Sequence, residues 1–327
     1  MNKIDELEVG CTVYDTFMLT EATVRQTNTR PPRDYLSVTF SVGNVTIDGK
    51  MWNWPRGAAV PETKKVYDVA ATVGEYLGKK QLTITELSVA EDQDLTDFVP
   101  SVGISKIELW ATLITFIDSI ENEKLKHIVS YCYTLYKEEI LATTAGKKMH
   151  HVGLGGLALH TIEVACNAGA LTLANKHLQI NEPLVIAGAL LHDIGKIYTY
   201  YMEDAVLDVT IPGMLYDHIT MGVVILHLAN SVLGAEYNNE INLLQHIIVS
   251  HHGELEYGSP VTPKFMEAYI VNWADNISAT LDMINTANLK AGDADKTEKI
   301  YACSNREHIT QNYVMRMLAE AEAILVD

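Results

Sequence analysis

The hydrophobic pattern of this 327-residue chain changes its period near residue 100. Before that point apolar and polar residues alternate in short runs, as in residues 35–40, which is typical of β-strands. From about Ser105 onward, apolar residues recur every three or four positions, which is typical of amphipathic helices. The change predicts two domains, an all-β domain over residues 1–98 and an all-α domain over residues 99–327.

Five strands are predicted in the N-terminal part, over residues 13–24, 35–40, 45–54, 66–73 and 81–89. Gly43-Asn44 and Gly78 are turn signals between neighbouring runs. Five short strands of this spacing fit a small closed barrel such as the oligonucleotide-binding (OB) fold. The acidic residues 90–97 are predicted to link this barrel to the helical domain.

Helices are predicted to start near Ser105 and to continue near residues 121–142, 154–175, 182–194, 217–233, 240–251, 263–285 and 305–325. Gly195 follows one of these helices and is predicted to end it in a left-handed conformation.

Charge and composition limit the classes of partner. The net charge is −18, but residues 9–90 contain nine basic and eight acidic residues, so the negative charge lies outside the predicted barrel. A polyanion is therefore expected to contact the barrel or a cation, not the general surface. The acidic N-terminus, the lack of a long apolar run and the four dispersed cysteines predict a cytoplasmic protein without a membrane partner.

An adjacent His192-Asp193 pair closes an apolar helical segment, in the run LLHDIGK. Imidazole and carboxylate are both ligands of divalent transition metals, and neighbouring helical residues can reach one ion lying against the helix. His160 and Asp275 lie in other apolar helical segments, where a polar side chain needs a partner. Further histidines fall between them in the chain, at His218, His251 and His252.

The order His, His-Asp, His, His-His, Asp resembles the metal centre of the HD superfamily of phosphohydrolases. The flanking segments HHVGLGGLALHT (150–161), SHHGELEYGSP (250–260) and ADNIS (274–278) resemble those of the YhaM-type 3′–5′ exoribonucleases, in which an OB barrel precedes an HD domain. The resemblance covers nearly the whole chain.

This resemblance implies one or two divalent ions, with manganese first and iron, cobalt or zinc as alternatives. The implied ligands of the first ion are His160, His192, Asp193 and Asp275. Asp193 would bridge to a second ion, completed by His218 and by His251, His252 or both. Lys196 matches a basic residue near the scissile phosphate, and His151 matches a position that lines the substrate site. Asp193 and Lys196 are thus the candidate catalytic residues, since metal-activated water would attack phosphorus.

Candidate substrate contacts also occur in the predicted barrel. Trp52 could stack a base, and strand alternation places Trp54 on the same face. Arg30 and Arg33 lie in a predicted loop between the first two strands, which often faces the ligand in this fold. Outside the barrel, Glu163 is interpreted as part of a solvated helical face.

The leading hypothesis is a 3′–5′ exonuclease that acts on single-stranded RNA or DNA. An HD phosphohydrolase of nucleotides or cyclic nucleotides is the main alternative, because negative charge outside the barrel would repel a long polyanion. Two other hypotheses are a di-iron protein that activates oxygen and a non-catalytic binding protein. A homo-oligomer is expected by analogy with the family.

Overall fold

The computed structural model describes residues 3–91, 93, 98–146, 151–203, 206–300, 303 and 305–324. The predicted linker 90–97 lies largely outside the described residues. The chain divides into two compact units. One comprises Met1–Ser101 with Met202–Leu207, and the other comprises Val102–Tyr201 with Asp208–Asp327.

The N-terminal unit contains a closed five-stranded barrel, as predicted. Its strands are β1 (Thr12–Gln26), β2 (Asp34–Val42), β3 (Val45–Met51), β4 (Lys65–Tyr76) and β5 (Lys79–Val89). The order around the barrel is β1-β2-β3-β5-β4, and β4 closes it by pairing with β1. All neighbours are antiparallel except β3 and β5, which run parallel. The long strand β1 pairs on both sides, which allows so few strands to close.

Alternation along these strands fills the barrel with apolar side chains. Phe17, Leu36, Phe40 and Leu82 are fully buried in its core. The turn between β4 and β5 consists of two left-handed residues, Leu77 and Gly78, which is the backbone that a tight hairpin requires.

The C-terminal unit is helical, as predicted. Its helices are α1 (Lys106–Ser119), α2 (Glu123–Leu135), α3 (Lys137–Ala142), α4 (Gly156–Ala174), α5 (Glu182–Leu191), α6 (Lys196–Thr199), α7 (Ile211–Leu233), α8 (Asn238–Ser250), α9 (Met266–Ala291) and α10 (Gln311–Ile324). Side-chain caps mark several starts, including Ser105 with Glu108 at α1 and Asn181 at α5. The predicted helix 121–142 is divided at Tyr136, whose backbone leaves the helical region.

A short hairpin between α6 and α7 was not predicted. It consists of β6 (Tyr200–Glu203) and β7 (Val206–Val209). Two strands of four residues are too short to show a period-two pattern within a helical context.

By length and composition alone, α4 and α7 would be able to cross a bilayer, since each has a window of mean hydropathy 1.3. This is weak support for a membrane role, because core helices of soluble proteins have the same composition. Each of these helices also carries a buried histidine, His160 in α4 and His218 in α7.

Candidate metal centre

Five segments of the helical unit bring the predicted ligands together. α4 carries His160 and α9 carries Asp275, while the turn after α5 carries His192 and Asp193. The remaining ligands, His218 in α7 and His251 and His252 after α8, complete the group. All seven predicted ligands therefore lie in one region of the unit, as two sets of three with Asp193 between them.

The turn that holds His192 and Asp193 is packed directly against α7. Gly195 has a right-handed backbone, with φ −65° and ψ −15°, so the prediction of a left-handed helix end is wrong. Glycine is required there for space, because a Cβ would lie 1.9 Å from the carbonyl oxygen of His218. This close approach brings the His-Asp turn to the start of the helical segment that carries His218.

Asp217 breaks α7 immediately before that histidine, with a left-handed φ of 58°. Its carboxylate accepts a hydrogen bond from Nδ1 of His218 at 2.6 Å. His218 thus begins a new helical segment and is also turned into the centre.

The ligand atoms form two sets, and within each set they lie within 4.8 Å of one another. The His160 set contains His160, His192 and Asp275. In it, Nε2 of His160 lies 3.1 Å from Oδ1 of Asp275 and 3.3 Å from Nε2 of His192. The His251 set contains His218, His251 and His252.

Asp193 lies between the two sets and presents one carboxylate oxygen to each. Its Oδ2 is 3.4 Å from Nε2 of His160 and 3.3 Å from Nε2 of His192. Its Oδ1 is 3.4 Å from Nε2 of His218 and 3.5 Å from Nε2 of His251. A carboxylate placed in this way is suited to bridge two cations.

Unsatisfied polar atoms in the His251 set fit a bound cation. Oδ1 of Asp193, Nε2 of His218 and Nε2 of His251 are buried, and they have no hydrogen-bond partner among the described residues. A buried polar atom without a partner is costly, whereas a cation would satisfy all three atoms at once. Nitrogen and oxygen donors of this kind suit divalent transition metals.

The outer nitrogens of the histidines are already occupied. Nδ1 faces a backbone carbonyl in three of them, namely Ala189 for His192, Ile248 for His251 and Tyr257 for His252. A carbonyl only accepts, so Nδ1 must carry the proton and Nε2 keeps its lone pair. Such outer contacts orient imidazole ligands in metal sites.

Protonation differs between the two sets. Burial would lower the pKa of His160, but hydrogen bonds to Asp193 and Asp275 outweigh burial and raise the pKa to about 9. Burial lowers the pKa of His252 to about 4, with the neighbouring His251 contributing. At neutral pH the His252 ring is therefore neutral, whereas the carboxylates beside His160 favour the protonated form of that ring.

Lys196 is buried beside Asp193, with its Nζ 2.6 Å from Oδ2. Burial would lower the pKa of Lys196, but the charge and hydrogen bond of Asp193 raise it. The same pairing holds the pKa of Asp193 well below its ordinary range, despite burial. Lys196 therefore supplies a permanent positive charge at the centre, in contact with the shared carboxylate.

His151 lies against Glu163 in the surroundings of the centre. Its side chain is only 2% exposed, and its Nε2 lies 3.0 Å from Oε2 of Glu163. The ring is therefore buried and engaged with Glu163, and its contact with substrate stays a prediction. Glycine at Gly156 permits this, because a Cβ there would lie 2.0 Å from the carbonyl oxygen of His151.

Glu163 and Ser278 belong to the surroundings of the centre, although neither was predicted. Ser278 donates to Oε2 of Glu163 at 2.7 Å and lies 3.0 Å from Nδ1 of His160. The interpretation of Glu163 as a solvated face is therefore incomplete, because its side chain is 39% exposed but its Oε2 contacts Ser278 and His151. The missed signal is spacing, since Glu163 and Ser278 each follow a predicted ligand by three residues on a helix.

The predicted substrate contacts of the barrel unit lie at its surface. Arg30 and Arg33 are exposed in the loop between β1 and β2. Trp52 is 45% exposed, whereas Trp54 packs against the barrel core. The two do not share a face because β3 ends at Met51 and Asn53 is left-handed.

Trp52 belongs to a group that we call the aromatic patch, formed by Tyr35, Lys50, Trp52 and Tyr76. The rings of Tyr35 and Trp52 have centroids 4.9 Å apart. Nζ of Lys50 lies 4.9 Å from the ring centroid of Tyr76 and 5.5 Å from that of Trp52. Tyr76 is 57% exposed, so the patch offers π-faces and a cation to solvent.

Comparisons with known proteins agree with this architecture. Residues 157–280 match the family model of the HD domain. The chain is 30% identical over 305 residues to the 3′-5′ exoribonuclease YhaM of Geobacillus sp. (strain WCH70), covering 91% of this chain and 92% of that protein. It is 30% identical over 307 residues to the 3′-5′ exoribonuclease YhaM of Oceanobacillus iheyensis, covering 92% and 94%.

One solved structure also aligns with part of the chain. The second OB-fold domain of replication protein A from Methanococcus maripaludis covers 28% of this chain and 96% of that domain. Its sequence identity is 15% and its TM-score is 0.24.

Proposed function

This chain belongs to the YhaM 3′–5′ exoribonuclease family of HD-domain proteins, and we propose that it is a metal-dependent 3′–5′ exonuclease that hydrolyses the phosphodiester bonds of single-stranded RNA. The observation that carries the proposal is the position of Asp193, whose two carboxylate oxygens face two separate ligand sets. Two-ion centres of this kind serve phosphoryl transfer in many hydrolases.

The residues of the His160 set and of the His251 set would each hold one divalent ion, with Asp193 shared between them. When bound, the ions would supply an activated water and neutralise charge on the phosphate oxygens. We propose manganese as the resident ion, with iron, cobalt or zinc as alternatives that the same donors accept.

Side chains of the centre prepare it for an anionic substrate. Lys196 keeps its ammonium charged, and we propose that it adds a point charge near the scissile phosphate. Asp193 and Asp275 stay ionised because their pKa values are held far below the ordinary range. The histidines hold their Nε2 atoms toward the two carboxylates through fixed contacts at Nδ1.

For the barrel, we propose that the aromatic patch binds the single strand. Base stacking on exposed rings tolerates any sequence, which suits an enzyme that degrades a strand base by base. Arg30 and Arg33 would contact phosphates from the adjacent loop between β1 and β2. The barrel region is also where the negative charge of the chain is lowest. A cytoplasmic location and a homo-oligomer complete the proposal.

The test is digestion of RNA oligomers in the presence of Mn²⁺. RNA labelled at its 5′ end should give a ladder of shortening products, whereas RNA labelled at its 3′ end should release labelled mononucleotide at once. An Asp193→Ala variant should leave both substrates intact. Wild-type protein that leaves them as intact as this variant does would overturn the proposal.

A second candidate is hydrolysis of nucleotides or cyclic nucleotides. It is favoured by the strongly negative charge outside the barrel region, which would repel long polyanions at low salt. Mononucleotides and cyclic dinucleotides should be assayed in parallel with the oligomers. Turnover of these small substrates alone would favour this candidate, and turnover of oligomers alone would exclude it.

A further inference from the structure

His160 differs from the other histidines in what its outer nitrogen contacts. The Nδ1 atoms of His192, His251 and His252 face backbone carbonyls, which fix the tautomer because they only accept. Nδ1 of His160 faces the hydroxyl of Ser278 at 3.0 Å. A hydroxyl can both donate and accept, so Ser278 alone does not decide where the proton of His160 lies.

Glu163 decides the direction of this hydrogen bond. The hydroxyl of Ser278 lies 2.7 Å from Oε2 of Glu163, and an ionised carboxylate only accepts. The single proton of Ser278 is thus donated to Glu163. Ser278 must then accept from His160, which places a proton on Nδ1 and turns Nε2 toward Asp275 and Asp193.

Glu163 is itself held in place and kept ionised. Its Oε2 also lies 3.0 Å from Nε2 of His151, whose backbone nitrogen donates to Asp282 at 2.8 Å. Burial would raise the pKa of Glu163, but the hydrogen bonds from His151 and Ser278 outweigh it and lower the pKa. Two donors therefore converge on one carboxylate oxygen.

Helix spacing explains how these residues meet. Glu163 follows His160 by one turn on α4, and Ser278 follows Asp275 by one turn on α9. The outer sides of these two helices border a cavity of about 360 Å³, lined in part by Glu163, Ser278 and Asp282. Glu163 and Ser278 thus lie behind the His160 set, on the side away from Asp193.

We propose that Glu163 and Ser278 are positioning residues for the cation of the His160 set, because they fix the proton of His160 on Nδ1 and leave Nε2 to bind the ion. The inference rests on the proposed two-ion centre. Without this hydroxyl, the ring that loses one proton could keep the other on Nε2, donated to Asp275, where it would compete with the cation for that nitrogen.

The first test is metal binding to the full chain after chelation, measured by titration with Mn²⁺ and detection of free Mn²⁺ by electron paramagnetic resonance. Ser278→Ala should weaken one of two binding steps by about 10- to 100-fold, the usual effect of losing an outer partner of a metal ligand. The other step should keep its wild-type affinity. Ser231→Ala is the matched control, because among the residues that the structure describes that hydroxyl bonds to the carbonyl of His227 on its own helix.

The second test reads the tautomer of His160 in protein labelled with ¹⁵N-histidine. Wild type should show a protonated Nδ1 and a metal-bound Nε2 for His160. Glu163→Ala should lose this pattern, whereas Glu163→Gln should retain it, since an amide oxygen can still accept from Ser278. Glu138→Ala removes the same charge from an exposed site and should change nothing.

The outcomes separate this inference from the proposed function. Wild-type protein that binds no Mn²⁺ would overturn the two-ion centre itself. If wild type binds two ions and folded Ser278→Ala binds both with unchanged affinity, only the positioning role fails. Equal weakening of both steps would also overturn it, and Ser278→Thr, which keeps the hydroxyl, should restore binding.

Discussion

The metal centre and the aromatic patch are built on opposite principles. In the centre, His160, His192 and His251 are almost fully buried, and each ring is fixed by an outer contact. In the patch, Trp52 and Tyr76 are about half exposed and are arranged around Lys50. Phosphoryl chemistry needs charges fixed before the reaction, whereas binding a strand of varied sequence needs faces that tolerate any base. We therefore expect changes at the centre to act on turnover and changes at the patch to act on affinity.

Removal of the metal should separate the two regions most completely. Chelation should abolish turnover, while binding of a short single-stranded RNA to the same protein should persist, because the patch contains no metal ligand. Turnover is measured with labelled RNA and binding by fluorescence anisotropy. Loss of both turnover and RNA binding on chelation would show that the centre also provides most of the affinity, which would contradict the division of roles between the two regions.

The next largest effect is expected for Asp193→Ala. Both ligand sets lose their shared carboxylate, so kcat should fall by more than about 10³-fold, beyond the loss of a single stabilising donor. Steady-state kinetics with Mn²⁺ measures this fall, and circular dichroism checks that the variant is folded. Asp118→Ala, at a largely exposed carboxylate, is the matched control and should keep wild-type kcat.

Trp52→Ala should act on affinity. Loss of one stacking face costs about 1–3 kcal/mol, so RNA binding should weaken roughly 5- to 150-fold while kcat at saturation is unchanged. Tyr14→Ala removes an even more exposed ring of the same barrel that lies outside the patch, and it should bind normally. A fall in kcat with unchanged affinity would contradict the assignment of the patch to binding.

The smallest effect is expected from the loop arginines. If Arg30 and Arg33 each contact one phosphate, Arg30→Ala and Arg33→Ala should each reduce the slope of log affinity against log salt by about 0.7. Binding isotherms at several salt concentrations measure this slope. Arg306→Ala, at an exposed arginine of the helical unit, should leave it unchanged. If the slope stays at the wild-type value in both loop variants, these arginines do not contact phosphates of the RNA.

The sequence was informative where a hydrophobic period was clear or where an unusual residue type stood in an apolar segment. Alternation predicted the five strands, and the rarity of His192-Asp193 in an apolar segment pointed to the centre. Sequence could not predict the separation of Trp52 from Trp54, because it follows from a left-handed Asn53 between them. It also could not reveal why position 195 is glycine, since the close approach of the His218 carbonyl is a tertiary contact without a local sequence pattern.

The surroundings of the centre were the least predictable part. A glutamate in mid-helix is usually solvated, and only the packing of α4 against α9 brings Glu163 to Ser278. His151 shows the converse, since its place beside a recognisable motif suggested substrate contact, whereas the fold buries it against Glu163. Hydrogen-bond direction between distant segments leaves no local pattern in a single sequence.

The distribution of the ligands over five segments has a consequence for biosynthesis. His160 and Asp275 are more than a hundred positions apart, so no shorter stretch of the nascent polypeptide contains the complete His160 set, whereas the His251 set lies within residues 218–252. A ribosome must therefore release most of the helical unit before a cation can find the complete His160 set. Loading would follow folding, and the ion acquired would be the one available to the finished protein.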